Sequence, residues 1–293
     1  CLDESEISKV YPRHLVHDTQ FIQQFTGYFS ESLLTLANTM DYTRCIDISY
    51  RGSIQPLQCG RLGYEKWNIG DAISRKFSET RVNTDISSTL TDRIHGSDWV
   101  KFLSCSKSVL GVESGSNLFD FTGEVEKQCL DFEQKNKYLK VYPERLYTKS
   151  HKEFLYKYED NVAYGQISPR HFEAAATRTL QILYEGKYSN IFIPYRHYLP
   201  LKRDLSNIEE IKEVLFNTSK RKQITDCAYE EIVLNENYHY RNRVKKFDAA
   251  VDEISQTKNI KSDSKVSRLP DLQKYVLILI LAFYKWVQRY RPH

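Results

Sequence analysis

The chain has 293 residues, of which 41% are hydrophobic and 27% are charged, the composition of an ordinary globular protein long enough for one large or two smaller domains. Its 42 basic and 38 acidic residues leave a formal net charge of only +4, too small a surplus to indicate nucleic acid as the main partner. The six cysteines are scattered and form no C-x-x-C pair, so the sequence argues against a zinc site and indicates reduced thiols in a cytosolic protein.

The amino-terminal residues 1–43 have apolar residues at helical spacing and predict helix followed by linker. The sequence starts at Cys1, without an initiator methionine, and no signal peptide is visible. We therefore expect a fragment, or the ordered part of a longer protein.

Short strands alternate with helices along residues 44–235. Strands are predicted at 45–50, 108–113, 179–184 and 190–194, and helices at 67–77, 97–106, 123–136, 151–160, 168–178, 207–217 and within 219–256. This alternation predicts an α/β fold with a doubly wound, Rossmann-like parallel sheet and flanking helices. Ligands of such sheets bind outside the carboxyl ends of the strands. Polar loops at 51–66, 114–120 and 164–170 lie where those ends are expected.

The loop after the first strand combines glycines with cations. Arg51 and Gly52 precede the group Gly60–Lys66, which supplies Arg61 and Lys66. Glycine permits close backbone approach and arginine offers two parallel donors, so this loop suits a diphosphate. A solvated basic loop explains the same residues.

The segment at 113–121 follows the second strand and precedes a helix. Its small residues are Ser114, Gly115, Ser116 and Asn117. Such residues leave backbone N–H groups free for an anion or for sugar hydroxyls. An ordinary strand-to-helix turn is the alternative, because the segment matches neither common glycine-rich phosphate motif.

The stretch "YGQISPRHFEAAATRTLQILYEG" (164–186) joins a loop, a helix and a strand. Ser168 and Pro169 are typical of a helix start. If that helix points into the cleft, its amino terminus and Arg170 favour phosphate, and Glu173 can accept hydrogen bonds from a ribose diol. The alternative is that Glu173 only complements the helix dipole.

Other catalytic patterns are missing from the sequence. It contains no G-x-S-x-G, no H-E-x-x-H and no metal-ligand cluster, and we expect neither metal nor cofactor. His95, His171 and His197 are isolated histidines, which we interpret as structural.

A polar, charged linker at 255–268 leads to an apolar and aromatic tail at 275–291. The uninterrupted run Tyr275–Tyr284 is too short to span a bilayer, which takes about 20 residues. Basic and aromatic residues follow it, a pattern that suits an interfacial membrane anchor. A buried helix that packs on this domain or on a partner fits equally.

The segment "ISPRHFEAAATRTLQILYEGKYSNIFIPYRHYLPLKRDLSNIEEI" resembles the carboxyl-terminal, donor-binding half of GT-B glycosyltransferases. The likeness is greatest to the bacterial group-one and spore-maturation-like type that builds surface polysaccharides. The segments "DISYRGSIQPLQCGRLGYEK" and "SVLGVESGSNLFDF" look like that family's first strand with its phosphate loop and its middle strand with its loop. The likeness covers residues 44–235, and its S-P-R-x-F-E-A element is the most specific part.

The resemblance implies a nucleotide-sugar donor and a glycan or lipid-linked glycan acceptor, as in O-antigen, capsule or lipopolysaccharide synthesis. Glu173 matches the acid that binds the nucleotide ribose, and Arg61 and Lys66 match the basic pair that faces the diphosphate and stabilises the leaving group. Charge compensation of this kind stabilises a departing nucleoside diphosphate. The expected enzyme is a metal-independent hexosyltransferase, at the cytoplasmic face of the membrane.

Two departures from the family pattern stand out. Many retaining members carry a second glutamate eight positions before the ribose acid, and here that position is Gly165. In addition, 1–43 is too short for an acceptor domain, so we expect it to be a linker or the remnant of one. The donor domain is expected at 44–235, helix and linker at 236–268 and a carboxyl-terminal helix at 269–293. A non-catalytic nucleotide- or glycan-binding module that scaffolds a glycan-assembly complex is the alternative function.

Overall fold

The structure, a computed structural model, describes residues 4–12, 14, 16, 19, 21–39 and 43–257. The chain divides into two units, Cys1–Asn242 and Arg243–His293. The expected linker beyond residue 257, the carboxyl-terminal helix at 269–293 and its apolar run lie outside the described residues.

The described residues contain seven strands and ten α-helices. The strands are β1 (Ile46–Arg51), β2 (Thr84–Ser87), β3 (Ser106–Gly111), β4 (Ser114–Ser116), β5 (Tyr164–Gln166), β6 (Leu180–Tyr184) and β7 (Leu199–Leu201). The helices are α1 (Glu4–Val10), α2 (Glu31–Thr39), α3 (Gly60–Phe77), α4 (Gly96–Ser104), α5 (Glu124–Lys135), α6 (Pro143–Glu153), α7 (Pro169–Ala176), α8 (Ile208–Phe216), α9 (Thr218–Ala228) and α10 (Tyr240–Thr257). None of these helices is long and apolar enough to cross a membrane.

Five strands form one parallel sheet in the order β2-β1-β3-β6-β7. β3 pairs directly with β1 although β2 lies between them in sequence, so the chain reverses its winding direction at this pair. β4 and β5 form a separate antiparallel pair. The predicted doubly wound α/β fold is confirmed.

Alternate side chains of each strand face opposite sides of the sheet. On one side Ile48, Leu110 and Ile182 pack against α3 and α8. Helix α3 contributes Ile69 and Ile73, four residues apart and both fully buried, so one helical stripe covers this face.

The other side of the sheet is covered by α4 and α7. Leu183 packs there with Phe172 of α7, and Phe29 from the amino-terminal segment is buried against the same cluster. The backbone of Phe29 is bonded on both sides, accepting from Tyr240 N and donating to the Tyr238 carbonyl. The amino-terminal segment around Phe29 is thus part of the core beneath α7.

Residues 117–163, which we call the α5–α6 insertion, lie between β4 and β5. The insertion has an apolar core of its own, formed by Leu118, Val125, Cys129, Phe132 and Leu155 with Leu57. It contacts α3 through a stacked pair of tyrosine rings, Tyr64 and Tyr147, whose centroids are 4.4 Å apart.

Helix α3 starts seven residues earlier than predicted. A 3-10 turn at Leu57–Cys59 leads into it, and Gly60, with φ of 62°, makes the turn between the two. The predicted loop 51–66 therefore ends before Leu57, and both Arg61 and Lys66 lie on a helix. Glycines that read as loop residues are used here for packing, since a Cβ on Gly63 would lie 2.5 Å from that of Cys59.

Two other predicted elements differ. The strand predicted at 190–194 is wrong, because Tyr188, Ser189 and Asn190 have left-handed backbone and form a 3-10 turn. The last strand of the sheet is Leu199–Leu201 instead. The helix predicted at 151–160 is α6, which starts earlier, at Pro143, and ends at Glu153.

The start of α7 is as predicted. Ser168 is the N-cap, its Oγ accepts from Arg170 N, and Pro169 occupies the first turn. The Ser168 N–H donates in return to Nδ1 of His171, 2.9 Å away. His171 is therefore a neutral imidazole with its proton on Nε2. Burial, and then the charge of Arg170, lower the pKa of His171 to about 3.

We predict that stability falls on acidification through His171. Its pKa is about 3 in the folded protein and about 6.5 in an unfolded chain. The contribution of His171 to the free energy of unfolding is therefore fully present above about pH 6.5. As the pH falls from 6.5 towards 3, that free energy decreases by up to ~1.4 kcal/mol per pH unit. Urea unfolding at pH 7, 6, 5 and 4 measures this slope, and His171→Asn, which keeps an acceptor for Ser168 N, should flatten it. The same substitution at exposed His95 is the control. Equal slopes for His171→Asn and the wild type would contradict the assignment.

Candidate functional site

A cavity of about 210 Å³, which we call the edge cavity, opens at the carboxyl ends of β1 and β3 beside the first turn of α7. Its walls are Tyr50, Gly52, Ser53, Gln55, Lys66, Trp99, Val109, Leu110, Gly111, Val112, Ser114, Ser168, Arg170, His171, Gln181 and Leu183. The pair β1–β3 is the point at which the winding direction reverses, where ligands of doubly wound sheets bind.

The edge cavity collects residues from all three predicted loops. Those that line it are Gly52, Lys66, Ser114, Ser168 and Arg170. The predicted site residues outside its lining are Arg51, Arg61, Gly115, Ser116, Asn117, Pro169 and Glu173. The three loops thus meet, although seven of the twelve predicted residues do not line the cavity.

Lys66 and Arg170 are the two cations of the edge cavity. Neither forms an ion pair within the described part of the chain. The guanidinium of Arg170 donates to the carbonyl of Arg51 and lies 5.3 Å from the ring of Trp99. Burial lowers the pKa of Lys66, and the charge of Arg170 acts in the same direction. Two cations that form no ion pair in the described residues therefore face one small cavity, which favours an anionic ligand.

The other two predicted arginines are neutralised by carboxylates. Arg51 pairs with Asp85 at 2.8 Å. Arg61 pairs with Glu65 at 3.3 Å and with Asp160 at 3.1 Å. Five residues on an α-helix correspond to about 140° of rotation, so Arg61 lies on a different face of α3 from Lys66. The structure does not bring the predicted basic pair together in this cavity.

Glu173 lies behind the cavity wall, in contact with Trp99. The indole Nε1 of Trp99 donates to Glu173 Oε2 over 2.7 Å. Burial raises the pKa of Glu173, although the Trp99 hydrogen bond and the charge of Arg170 oppose the shift. The second carboxylate oxygen has no hydrogen-bond partner among the described residues.

The first turn of α7 offers fewer free donors than expected. Arg170 N is bonded to Ser168 Oγ at 3.4 Å, and His171 N to the Ser168 carbonyl at 3.0 Å. Pro169 has no N–H. What this helix start offers to an anion is therefore its dipole and the Arg170 side chain, rather than a set of open N–H groups.

The loop at 114–117 mostly braces the fold. Ser116 Oγ donates to the Cys59 carbonyl at 2.9 Å, and Asn117 Oδ1 accepts from Leu62 N at 3.3 Å. Gly115 has φ of 87°, and a Cβ there would lie 2.1 Å from the Tyr164 carbonyl oxygen. These contacts hold β4 against the start of α3, and Ser114 alone of the four faces the cavity.

The position where many retaining relatives carry a glutamate is occupied in space by another carboxylate. A Cβ on Gly165 would lie 2.9 Å from Oε2 of Glu113. Glu113 accepts hydrogen bonds from the backbone N–H groups of Lys187 and Tyr188 at 3.1 and 2.8 Å. A side chain at 165 would therefore displace Glu113 from the left-handed turn that it stabilises.

Several lining residues were not foreseen. Gln181 donates to the His171 carbonyl at 3.2 Å, while its buried Oε1 has no partner in the described part of the protein. Tyr50 donates to the Lys66 carbonyl at 2.6 Å. A polar residue inside a strand that is otherwise apolar was a usable signal for Gln181. Nothing local in the sequence marks Trp99, whose role depends on Glu173, 74 positions away.

Among the described residues, no group of three or more histidine, cysteine, aspartate or glutamate side chains is placed to hold a metal ion. The polar chemistry of the edge cavity comes instead from two cations, a neutral imidazole, hydroxyls and two amides. This set suits an anionic, hydroxyl-bearing ligand.

No curated protein sequence matches the chain. Two solved structures align with it at 12% identity. One is a mutant of S. aureus TarM in complex with Fondaparinux, alpha-GlcNAc-glycerol and UDP, with a TM-score of 0.45 over 84% of this chain and 42% of that chain. The other is TarM, with a TM-score of 0.38 over 78% of this chain and 39% of that chain. The aligned part of the chain spans less than half of either protein.

A family model extends the comparison to most of the sheet and its helices. The model described as "Glycosyl transferase-like" matches residues 77–249, more than half of the chain, including β3, α7 and Glu173. The protein therefore belongs to the glycosyl transferase-like family.

Proposed function

We propose that this chain carries the nucleotide-sugar site of a glycosyltransferase and that the edge cavity holds the diphosphate of the donor. The observation that supports this most directly is the pair of cations, Lys66 and Arg170, that share the cavity, have no carboxylate among its lining residues and form no ion pair in the described part of the chain. Two phosphate groups would supply the missing negative charge. Family membership supports sugar transfer as the reaction class.

The proposed chemistry is charge compensation. When the bond between the donor sugar and the diphosphate breaks, negative charge builds on the leaving phosphate oxygen. Lys66 and Arg170 would stabilise that charge more strongly than they stabilise the intact donor, which lowers the barrier. Arg61, which the family resemblance matches to the diphosphate, is held by two carboxylates, so we assign its role to Arg170 and regard Arg61 as a brace of α3.

The ribose of the donor is assigned to Glu173. Its Oε2 is held by Trp99, and its other oxygen, which has no hydrogen-bond partner among the described residues, would accept from a ribose hydroxyl. Acidic side chains accept from ribose diols in other doubly wound nucleotide sites. Gln181 lines the same cavity and its buried Oε1 has no partner among the described residues, so we propose it as an acceptor for a further hydroxyl of the ligand.

For the acceptor we propose a glycan of a surface polysaccharide of the O-antigen or capsule type, free or lipid-linked, used at the cytoplasmic face of the membrane. The resemblance of residues 167–211 to enzymes of that class supports this proposal. Contact of the 275–291 segment with lipid is part of it. If a longer protein containing this chain bound nucleotide but transferred no sugar, the non-catalytic module would be the better description.

We predict that the chain binds a nucleoside diphosphate through Lys66 and Arg170. Calorimetric titration with UDP, GDP, CDP and ADP should find one preferred nucleotide. Lys66→Ala and Arg170→Ala should each weaken it about tenfold or more, since each removes a charge-assisted contact. Lys76→Ala, an exposed lysine of the same helix, is the matched control. Unchanged affinity in both cavity variants would exclude this cavity as the diphosphate site.

A second prediction isolates the ribose contact. The wild type should bind the preferred nucleoside diphosphate roughly tenfold more tightly than its 2′,3′-dideoxy form, because the dideoxy form lacks the hydroxyls that would donate to the Glu173 carboxylate. In Glu173→Ala the two ligands should bind within about twofold of each other. If the variant discriminates between them as well as the wild type does, Glu173 does not bind the ribose.

A third prediction concerns metal. Because the two cations are proposed to take the place of a divalent ion at the diphosphate, nucleotide affinity should change by less than about twofold when EDTA replaces magnesium in the titration. A loss of binding in EDTA that magnesium restores would show that a metal ion completes the site.

A further inference from the structure

We infer that a second cavity, beside the first, is a carbohydrate subsite that holds a sugar ring of the acceptor glycan. It has a volume of about 400 Å³ and lies between α3 and the α5–α6 insertion. We call it the aromatic cavity. The word acceptor rests on the proposed function, whereas the carbohydrate site itself rests on the contacts described below.

Three aromatic side chains, those of Tyr64, Trp67 and Tyr147, line the aromatic cavity. Tyr64 and Tyr147 stack face to face, with centroids 4.4 Å apart and planes 7° apart, and Trp67 follows Tyr64 at 5.9 Å. Their rings are held in place: Tyr147 donates to Glu159 at 2.9 Å, and Asn68 donates to the Tyr64 hydroxyl at 2.9 Å. A sugar ring has an apolar C–H face that packs on such rigid aromatic surfaces at little entropic cost.

The aromatic cavity is also lined by polar groups that form no hydrogen bond within the described part of the chain. The amide of Gln58 and the indole N–H of Trp67 both belong to lining side chains, and neither has a hydrogen-bond partner among the described residues. Gln55 uses its amide nitrogen, which donates to Ser53 Oγ at 2.6 Å, and leaves its oxygen open. Donors and acceptors together suit hydroxyls, each of which can do both.

Charge at the cavity is balanced, unlike in the edge cavity. Glu133 and Lys140 both line it and pair with each other at 3.2 Å. A neutral occupant is therefore favoured over an anion. A hydrocarbon chain would fill the apolar part but would desolvate Gln58 and the Trp67 N–H without bonding them, which costs free energy.

The two cavities share a wall. Gln55 lines both of them. Helix α3 also serves both, with Lys66 on the side of the edge cavity and Tyr64 and Trp67 on the other. A sugar bound in the aromatic cavity would thus lie next to the donor site, as an acceptor must if its hydroxyl is to reach the donor sugar.

The test is glycan binding by the full 293-residue chain. We expect the wild type to bind a subset of bacterial surface oligosaccharides on a glycan microarray, and calorimetry with the strongest of them should show a loss of roughly tenfold or more in Trp67→Ala. Gln58→Ala, a polar change that leaves the core untouched, should weaken binding severalfold. The control is Tyr138→Ala, an aromatic residue of the same insertion that is 65% exposed and does not line the cavity.

Three outcomes would overturn the inference. They are the absence of glycan binding by the folded wild type, equal affinity of both cavity variants and the wild type, and binding of decanol in place of glycan that is lost in Trp67→Ala. The proposed function is tested separately by Lys66→Ala, which should lose nucleotide and keep glycan. Glycan binding that depends on Trp67, in a chain that binds no nucleotide, would remove the acceptor role and the donor proposal together but leave the carbohydrate site.

Discussion

The pairing of β1 with β3 is the constraint on which the site depends. The connection after β1 leads to β2 on one side of this pair, and the connection after β3 leads to β6 on the other side. The loops that follow β1 and β3 therefore diverge. The space between those loops cannot be filled by either connection. Lys66 enters this space from α3 and Arg170 enters from α7. The fold therefore creates a crevice and brings two cations from distant parts of the sequence to it.

Ion pairing then decides which cations remain available. Carboxylates of the same chain neutralise Arg51 and Arg61, so those arginines stabilise the scaffold. Lys66 and Arg170 have no such partner within the described residues, and the pKa of Lys66 is lowered by its burial. Keeping a half-buried lysine without a counter-charge costs stability. Binding of an anion would offset that cost. A half-buried lysine without a counter-charge is therefore more typical of a binding site than of a structural ion pair.

The alternation of strands and helices, and the cap Ser168–Pro169, could be read from the sequence because they depend on local periodicity and local hydrogen bonding. The meeting of the three polar loops followed from the fold class. The helix face on which Arg61 lies could not be predicted, because it depends on where α3 begins. Gly60 and Gly63 are typical of a loop, so the sequence did not indicate that the helix starts there.

Long-range contacts were equally out of reach. The hydrogen bond of Trp99 to Glu173 joins two helices that no short motif connects. The failed strand at 190–194 has a related cause. Its apolar residues Ile191 and Phe192 do belong to the core, but the left-handed backbone at 188–190 turns the chain instead of extending it.

The short antiparallel pair of β4 and β5 has a consequence for how this protein can diverge. It holds the two ends of the α5–α6 insertion together, with Ser114 opposite Gln166 and Ser116 opposite Tyr164. Once the ends are joined, a doubling of the length between them adds only about 0.6 kcal/mol of closure entropy. The insertion also has its own apolar core. The segment between its joined ends can therefore be lengthened or shortened at little cost to the sheet and its crevice.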